Sequence, residues 1–244
     1  VRAQQARPHT GPGSGRTGRL PRGTNLCHSL GVMKPLALLF CALLPMSALA
    51  SSACSDGMSD DPAQGSGDAA AGRPRLAKPI IVEAACPIVI DSPPLLDSPH
   101  VAIDTPVTYN SNPPASGPHY PIWAAFQEFE KPVDRRYTVH DLEHGAVVVS
   151  YNCQAKGAGD CAAILAGLRA AIATLPNDPL CDGQGTRVRA VLTPDPLLDV
   201  PIAAAGWGFT YRAECLDPKS LGAFLRDNYG LGPESTCASG QPML

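Results

Sequence analysis

His140-Asp141-Leu142-Glu143-His144-Gly145-Ala146-Val147-Val148-Val149-Ser150-Tyr151 is the stretch on which the fold turns. A polar run with histidines four apart ends at a glycine, and an almost continuously apolar, β-branched run follows. If Val139 to Gly145 is helical for one or two turns, both imidazoles leave the same face. Ala146 to Tyr151 reads as a strand, and its lack of polar alternation predicts burial on both faces.

Outward from that stretch, Cys161 to Leu175 is rich in Ala and Leu with apolar residues at 164, 165, 168 and 172, which predicts a helix stopped by Pro176. Thr186 to Thr193 alternates Val188 and Ala190 against Arg187 and Arg189, the pattern of an edge or half-exposed strand. Ala203 to Tyr211, punctuated by Gly206 and Gly208, reads as one strand around Trp207 and Phe209. Pro218 opens a last helix over Ser220 to Asn228, closed by Gly230. Upstream, Pro79 to Val82, Cys86 to Ile90 and Val101 to Tyr109 read as strands, and Trp123, Phe126 and Phe129 give Ile122 to Phe129 the face of a short helix. The prolines at 113, 114, 118 and 121 exclude regular structure around His119 and place it on a constrained loop. Strands outnumber helices without strict βα repetition. The expectation is an α+β fold: a single compact domain over residues 80–244, with a mainly antiparallel or mixed sheet and a few helices.

The front of the chain differs in kind. Residues 1–32 are rich in Arg, Gly and Pro without an acidic residue, and read as an over-extended or unusually long N-terminus. Met33-Lys34, an apolar run from Leu36 and Ala48-Leu49-Ala50 form an export signal over 33–50, too short to span a bilayer. Ser51-Ser52-Ala53-Cys54 offers a second route, cleavage after residue 53 and a lipid on Cys54, although Ser51 stands where an aliphatic residue is usual. Residues 54–79 read as an acidic, Gly- and Ala-rich linker. The expected location is exported, periplasmic or in the cell envelope, with a membrane contact only through Cys54.

Beyond Cys54 lie six cysteines, an even number that suits a disulfide-stabilised domain in an oxidising compartment. Cys153 and Cys161 can close a local loop. Cys181 with Cys215 and Cys86 with Cys237 are plausible among fifteen connectivities. From Cys54 onward the chain carries 13 basic and 22 acidic residues, a formal net charge of −9. No basic stripe interleaved with aromatics appears, which argues against a nucleic-acid partner.

The run Tyr109-Asn110-Ser111-Asn112-Pro113-Pro114-Ala115-Ser116-Gly117-Pro118-His119, followed by His140 to Gly145 and a Val-rich strand ending at Tyr151, resembles the bacterial domain-of-unknown-function family numbered 3105. The likeness covers about residues 88–234 and includes His100-Val101, Pro194-Asp195-Pro196-Leu197, Ala205-Gly206-Trp207-Gly208 and Gly232-Pro233-Glu234. Ala115 stands where the family usually has Thr. The resemblance implies an exported or membrane-tethered protein and assigns no activity.

All four histidines beyond the front segment, His100, His119, His140 and His144, fall within one short stretch. The reading preferred here is a site for copper or zinc built from His119, His140 and His144, with His100 or Glu143 completing it and Asp141 or Glu143 accepting a far ring N–H. No methionine cluster supports a copper carrier. The order His-x-x-Glu-His also matches an inverted zinc-protease pattern, in which Glu143 is the general base. A third reading keeps the histidines structural, capping and pairing at a tight turn. Whether the protein is an enzyme stays open. Trp207 reads as a ligand-stacking residue or a core aromatic.

Overall fold

The computed structural model describes residues 74–243. Six strands form one mixed sheet: β1 (Ile80–Ile81), β2 (Ile88–Asp91), β3 (Val147–Tyr151), β4 (Ala190–Pro194), β5 (Ile202–Gly206) and β6 (Phe209–Ala213). Their order across the sheet is β1-β2-β6-β5-β3-β4. The β3–β4 pair is parallel and every other pair antiparallel. Three helices accompany them, α1 (Arg135–Glu143), α2 (Cys161–Ala173) and α3 (Pro218–Asn228). The fold is α+β, as the sequence implies.

Strand periodicity divides the core in two. Val147 and Val149 of β3 join Ile164, Leu168, Leu221 and Leu225 of α2 and α3 on one face. Val148, between them, points the other way into a second cluster with Val139, Leu142, Phe126, Phe129 and Trp207. The unbroken valines are therefore explained by a strand buried on both faces.

Local chemistry sets the helix ends. Asp134, Asp160 and Asp217 each cap a helix by accepting a backbone N–H, at Arg136, Ala162 and Ser220 respectively. At the other end of α1, Gly145 takes φ +78°, its N–H donates to the Leu142 carbonyl, and the Ala146 N–H donates to the Asp141 carbonyl. This Schellman turn ends the helix after Glu143 and launches β3.

Several expectations are corrected. Ala203 to Tyr211 is two strands, β5 and β6, joined at Trp207-Gly208, where Gly208 has φ +75° and permits the tight reversal. Ile122 to Phe129 is not a helix. Its backbone is spent on distant partners: Ala125 N–H donates to Gln241, Phe129 N–H to Leu192, and the Leu192 N–H to Gln127. The last two bonds cover β4, so the expected half-exposed edge is buried. Within it Arg189, read as outward-facing, is 3% exposed and pairs with Asp178 at 2.8 Å. Val101 to Tyr109 forms no strand; a turn closes from Thr105 N–H to the Ala102 carbonyl, and Asp104 has φ +68°.

Three disulfides staple the domain. Cys153–Cys161 is the expected local loop, whereas the long-range pairs are Cys86–Cys215 and Cys181–Cys237 in place of the reverse assignment. Leu76 already contacts the domain, its N–H donating to Ser92 Oγ at 2.7 Å. The export signal over 33–50, the Cys54 site and most of the 54–79 linker lie outside the described residues.

Candidate metal centre

Two segments meet to build the site. Helix α1 presents His140 and Glu143, three residues apart and so on one face, in its last turn. Against that face lies the loop carrying His119, held by a short parallel bridge to His100. The Val101 N–H donates to the His119 carbonyl at 2.8 Å, and the His119 N–H to the Pro99 carbonyl at 3.1 Å. Ser116 Oγ accepts from Leu96 N–H and Ser98 Oγ from Gly117 N–H, fixing the loop further. Tyr120 N–H donates to the Arg136 carbonyl at 3.1 Å, tying it to α1.

His100, His119, His140 and Glu143 converge: one donor atom from each lies within 4.8 Å of the others. Four points so spaced fit within about 2.9 Å of a common centre. A zinc–nitrogen bond of about 2.0–2.1 Å therefore needs each donor to move inward by no more than about 0.9 Å. His119 is fully buried, His140 and Glu143 nearly so, and the His100 side chain is 52% exposed at the mouth.

Hydrogen bonds decide which nitrogens are available. His119 Nδ1–H donates to the Gly117 carbonyl at 2.9 Å, and His140 Nδ1–H to the Tyr120 carbonyl at 2.6 Å. Carbonyls only accept, so His140 carries its proton on Nδ1; His119 lies between two acceptors, the Gly117 carbonyl on Nδ1 and Glu143 Oε2 on Nε2. This is the arrangement that orients histidines for a metal. Glu143 Oε2 lies 2.9 Å from His119 Nε2 and 3.9 Å from His100 Nε2. Burial alone pushes the Glu143 carboxyl up, but the His119 hydrogen bond and the surrounding imidazoles outweigh it and hold the group below its ordinary value. Burial drives His140 down to about 4, against the opposing bond to Tyr120, which keeps its imidazole neutral at physiological pH.

His144 stands beside this cluster rather than in it. Its Nε2 is 3.1 Å from His140 Nε2 and 3.2 Å from Glu234 Oε2. Since His140 Nε2 has only a lone pair to offer, His144 supplies the proton between them. Its own Nδ1 is buried with no partner among the described residues. Burial and the neighbouring His140 lower His144 to about 4 as well. The expected trio of His119, His140 and His144 is thus brought into contact, but the set with convergent donors is completed by His100 and Glu143 instead. Of the two acids expected to accept a far ring N–H, Glu143 does contact an imidazole, but at the inward His119 Nε2, the far nitrogens being taken by carbonyls. Asp141 does not: its carboxylate is fully buried, touches no imidazole, and is pushed well up by burial, opposed only by the Ala124 amide.

Three further residues flank the cluster. Trp123 packs its ring 4.5 Å from His144 and 5.1 Å from His140. Glu234, on the closing Gly-Pro-Glu segment, donates its backbone N–H to the Glu143 carbonyl. Arg189 bonds the His144 carbonyl through Nη1 while Nε pairs with Asp178, capping the end of α1 with a buried cation. The Gly-Pro-Glu motif was a signal for Glu234; Arg189 gave none, because its alternation mimics a solvent-facing position.

The three imidazoles and one carboxylate are geometrically suited to a divalent ion such as copper or zinc. Comparison with curated proteins and with solved structures gives no match. Residues 100–240, from the first histidine of the cluster to just past the last disulfide, match the model of a family described as "Protein of unknown function (DUF3105)", and the chain belongs to that family.

Proposed function

We propose that this is a metal-binding domain in which His119, His140 and Glu143, with His100 at the mouth, hold one zinc or copper ion. The observation that carries the reading is the convergence of three imidazoles and one carboxylate, with the carbonyls of Gly117 and Tyr120 holding the two buried rings by Nδ1. Each Nε2 has a polar neighbour, Glu143 Oε2 for His119 and His144 Nε2 for His140, which an ion would displace. The donors are nitrogen and oxygen, and the described cysteines are all in disulfides, so zinc(II) and copper(II) suit the site better than copper(I). The end of α1 adds a favourable field for a cation.

A metallohydrolase with Glu143 as general base is the second reading, favoured by a cleft of about 580 Å³ that Glu143 borders. Against it, Glu143 sits among the ligand donors, and His144 turns toward Glu234. We place the protein outside the cytosol, with Cys54 as a lipid anchor in the tethered form. Three disulfides and the signal over 33–50 support that placement.

Elemental analysis of the untagged, oxidised full chain, followed by zinc and copper titrations of wild type and a His119→Ala/His140→Ala variant, tests the metal reading. Near-stoichiometric, saturable binding that the variant loses is expected. No saturable binding by the folded wild type would refute it.

A further inference from the structure

The cleft beside the metal centre has apolar walls from Leu95, Leu96, Trp207 and Pro233, with Asp97 and Glu143 as its charged members. Glu143 belongs to both wall and metal cluster, so an ion held by it faces the cleft. No lysine or arginine lines the space, and Asp97 is exposed. Trp207 lends the wall part of a ring that is otherwise buried, only 4% exposed.

We infer that this cleft binds an apolar small molecule of the acyl class, whose oxygen head meets the metal and whose uncharged body lies on the Leu95–Leu96, Trp207 and Pro233 wall. The inference rests on the metal reading above. An oxygen head satisfies the cation, the apolar wall favours a hydrocarbon or aromatic body, and Asp97 repels an anionic one. Cavities of this size and lining, with a few polar groups at one end, are characteristic of small-molecule sites.

The test loads the full chain with cobalt(II), whose visible spectrum reports its ligands. If no protein-bound cobalt spectrum develops, the metal reading fails and this inference falls with it. With the spectrum present, acetohydroxamate, benzohydroxamate and 4-carboxybenzohydroxamate are titrated in turn. Benzohydroxamate is expected to perturb the spectrum with an affinity about tenfold or more above acetohydroxamate. The added carboxylate removes most of that gain, and Asp97→Asn, at an exposed position, restores it. Trp207→Phe, with its cobalt spectrum and melting checked, weakens benzohydroxamate more than acetohydroxamate. Equal affinities for the two parent hydroxamates on the cobalt-loaded protein would overturn the cleft inference and leave the metal centre standing, and so would indifference to the carboxylate.

Discussion

His140→Ala and His144→Ala have opposite expected effects on zinc affinity, although the two residues sit one helical turn apart. His140 contributes a donor to the cluster and is locked by the Tyr120 carbonyl at 2.6 Å. Losing even an outer hydrogen-bond partner of a ligand commonly costs about 10–100-fold in metal affinity, so losing the ligand costs at least about a hundredfold. His144→Ala leaves all four donors in place. It also removes the N–H that occupies the His140 lone pair at 3.1 Å. That bond is worth about 1 kcal/mol and must break before His140 can bind an ion, so its removal tightens zinc by up to about fivefold. The His144 ring is buried against Trp123, so truncation leaves a cavity and costs about 2–3 kcal/mol of stability. Zinc competition against a chromophoric chelator, well below each variant's melting temperature, measures both effects. Equal loss of affinity in the two variants would sink the cluster assignment and restore the His-x-x-Glu-His pair as the site.

Three further outcomes follow from the geometry. His140 and His144 have folded values near 4, below the unfolded 6.5, so the unfolded chain binds more protons between those limits. Stability of the metal-free protein is therefore full above pH 6.5 and declines as pH falls toward 4, which melting in a chelator would record; a flat profile would contradict it. Asp141→Asn should raise stability at pH 7 by at least about 1 kcal/mol and change it little near pH 3, because burial raises the aspartate's folded value and its penalty appears only as pH rises past the unfolded one. Gly145→Ala should cost about 2–3 kcal/mol in denaturant unfolding: φ is +78°, and the added Cβ would lie 2.8 Å from Arg189 Nη1 and 3.1 Å from the Gly230 carbonyl carbon.

What the sequence made legible was local. β3, α2 and α3 follow from patterns completed within a few residues: a β-branched run, an Ala-Leu face and a Pro-to-Gly span. The hairpin at Trp207-Gly208 was hidden because apolar residues continue through the turn, where a polar pair would have marked it. The three-residue spacing of Trp123, Phe126 and Phe129 imitated a helix, but pairing with Leu192 and Gln241 outweighs so short a helical propensity. Cysteine pairing depends on how β2 and the C-terminal segment approach, which spacing does not encode. In the site, residue chemistry singled out the histidines and Glu143. The choice of His100 over His144 as a member of the cluster depends on the bridge between His100 and His119 and on the direction of each ring.

Precision in this centre comes from an irregular loop, and the reason is that the loop's backbone is fully committed. Pro99 and Val101 fix the His119 backbone on both sides, Ser98 and Ser116 hold the preceding turn, and Arg136 anchors Tyr120. The carbonyls of Gly117 and Tyr120, in the same segment, then hold the Nδ1 atoms of His119 and His140 and so orient both rings. Backbone position and ring orientation are thus fixed by shared bonds, so a displacement that loosened the loop would also free the rings to turn. On the helix side, the Schellman turn at Gly145 and the Arg189 guanidinium on the His144 carbonyl prevent the last turn of α1 from fraying. His100 escapes this restraint, being half-exposed with its ring stacked on His140 at 4.9 Å. A centre with two locked imidazoles, one tethered carboxylate and one exposed imidazole can bind an ion firmly while leaving its outer side exchangeable, which is the arrangement a cleft-facing metal requires.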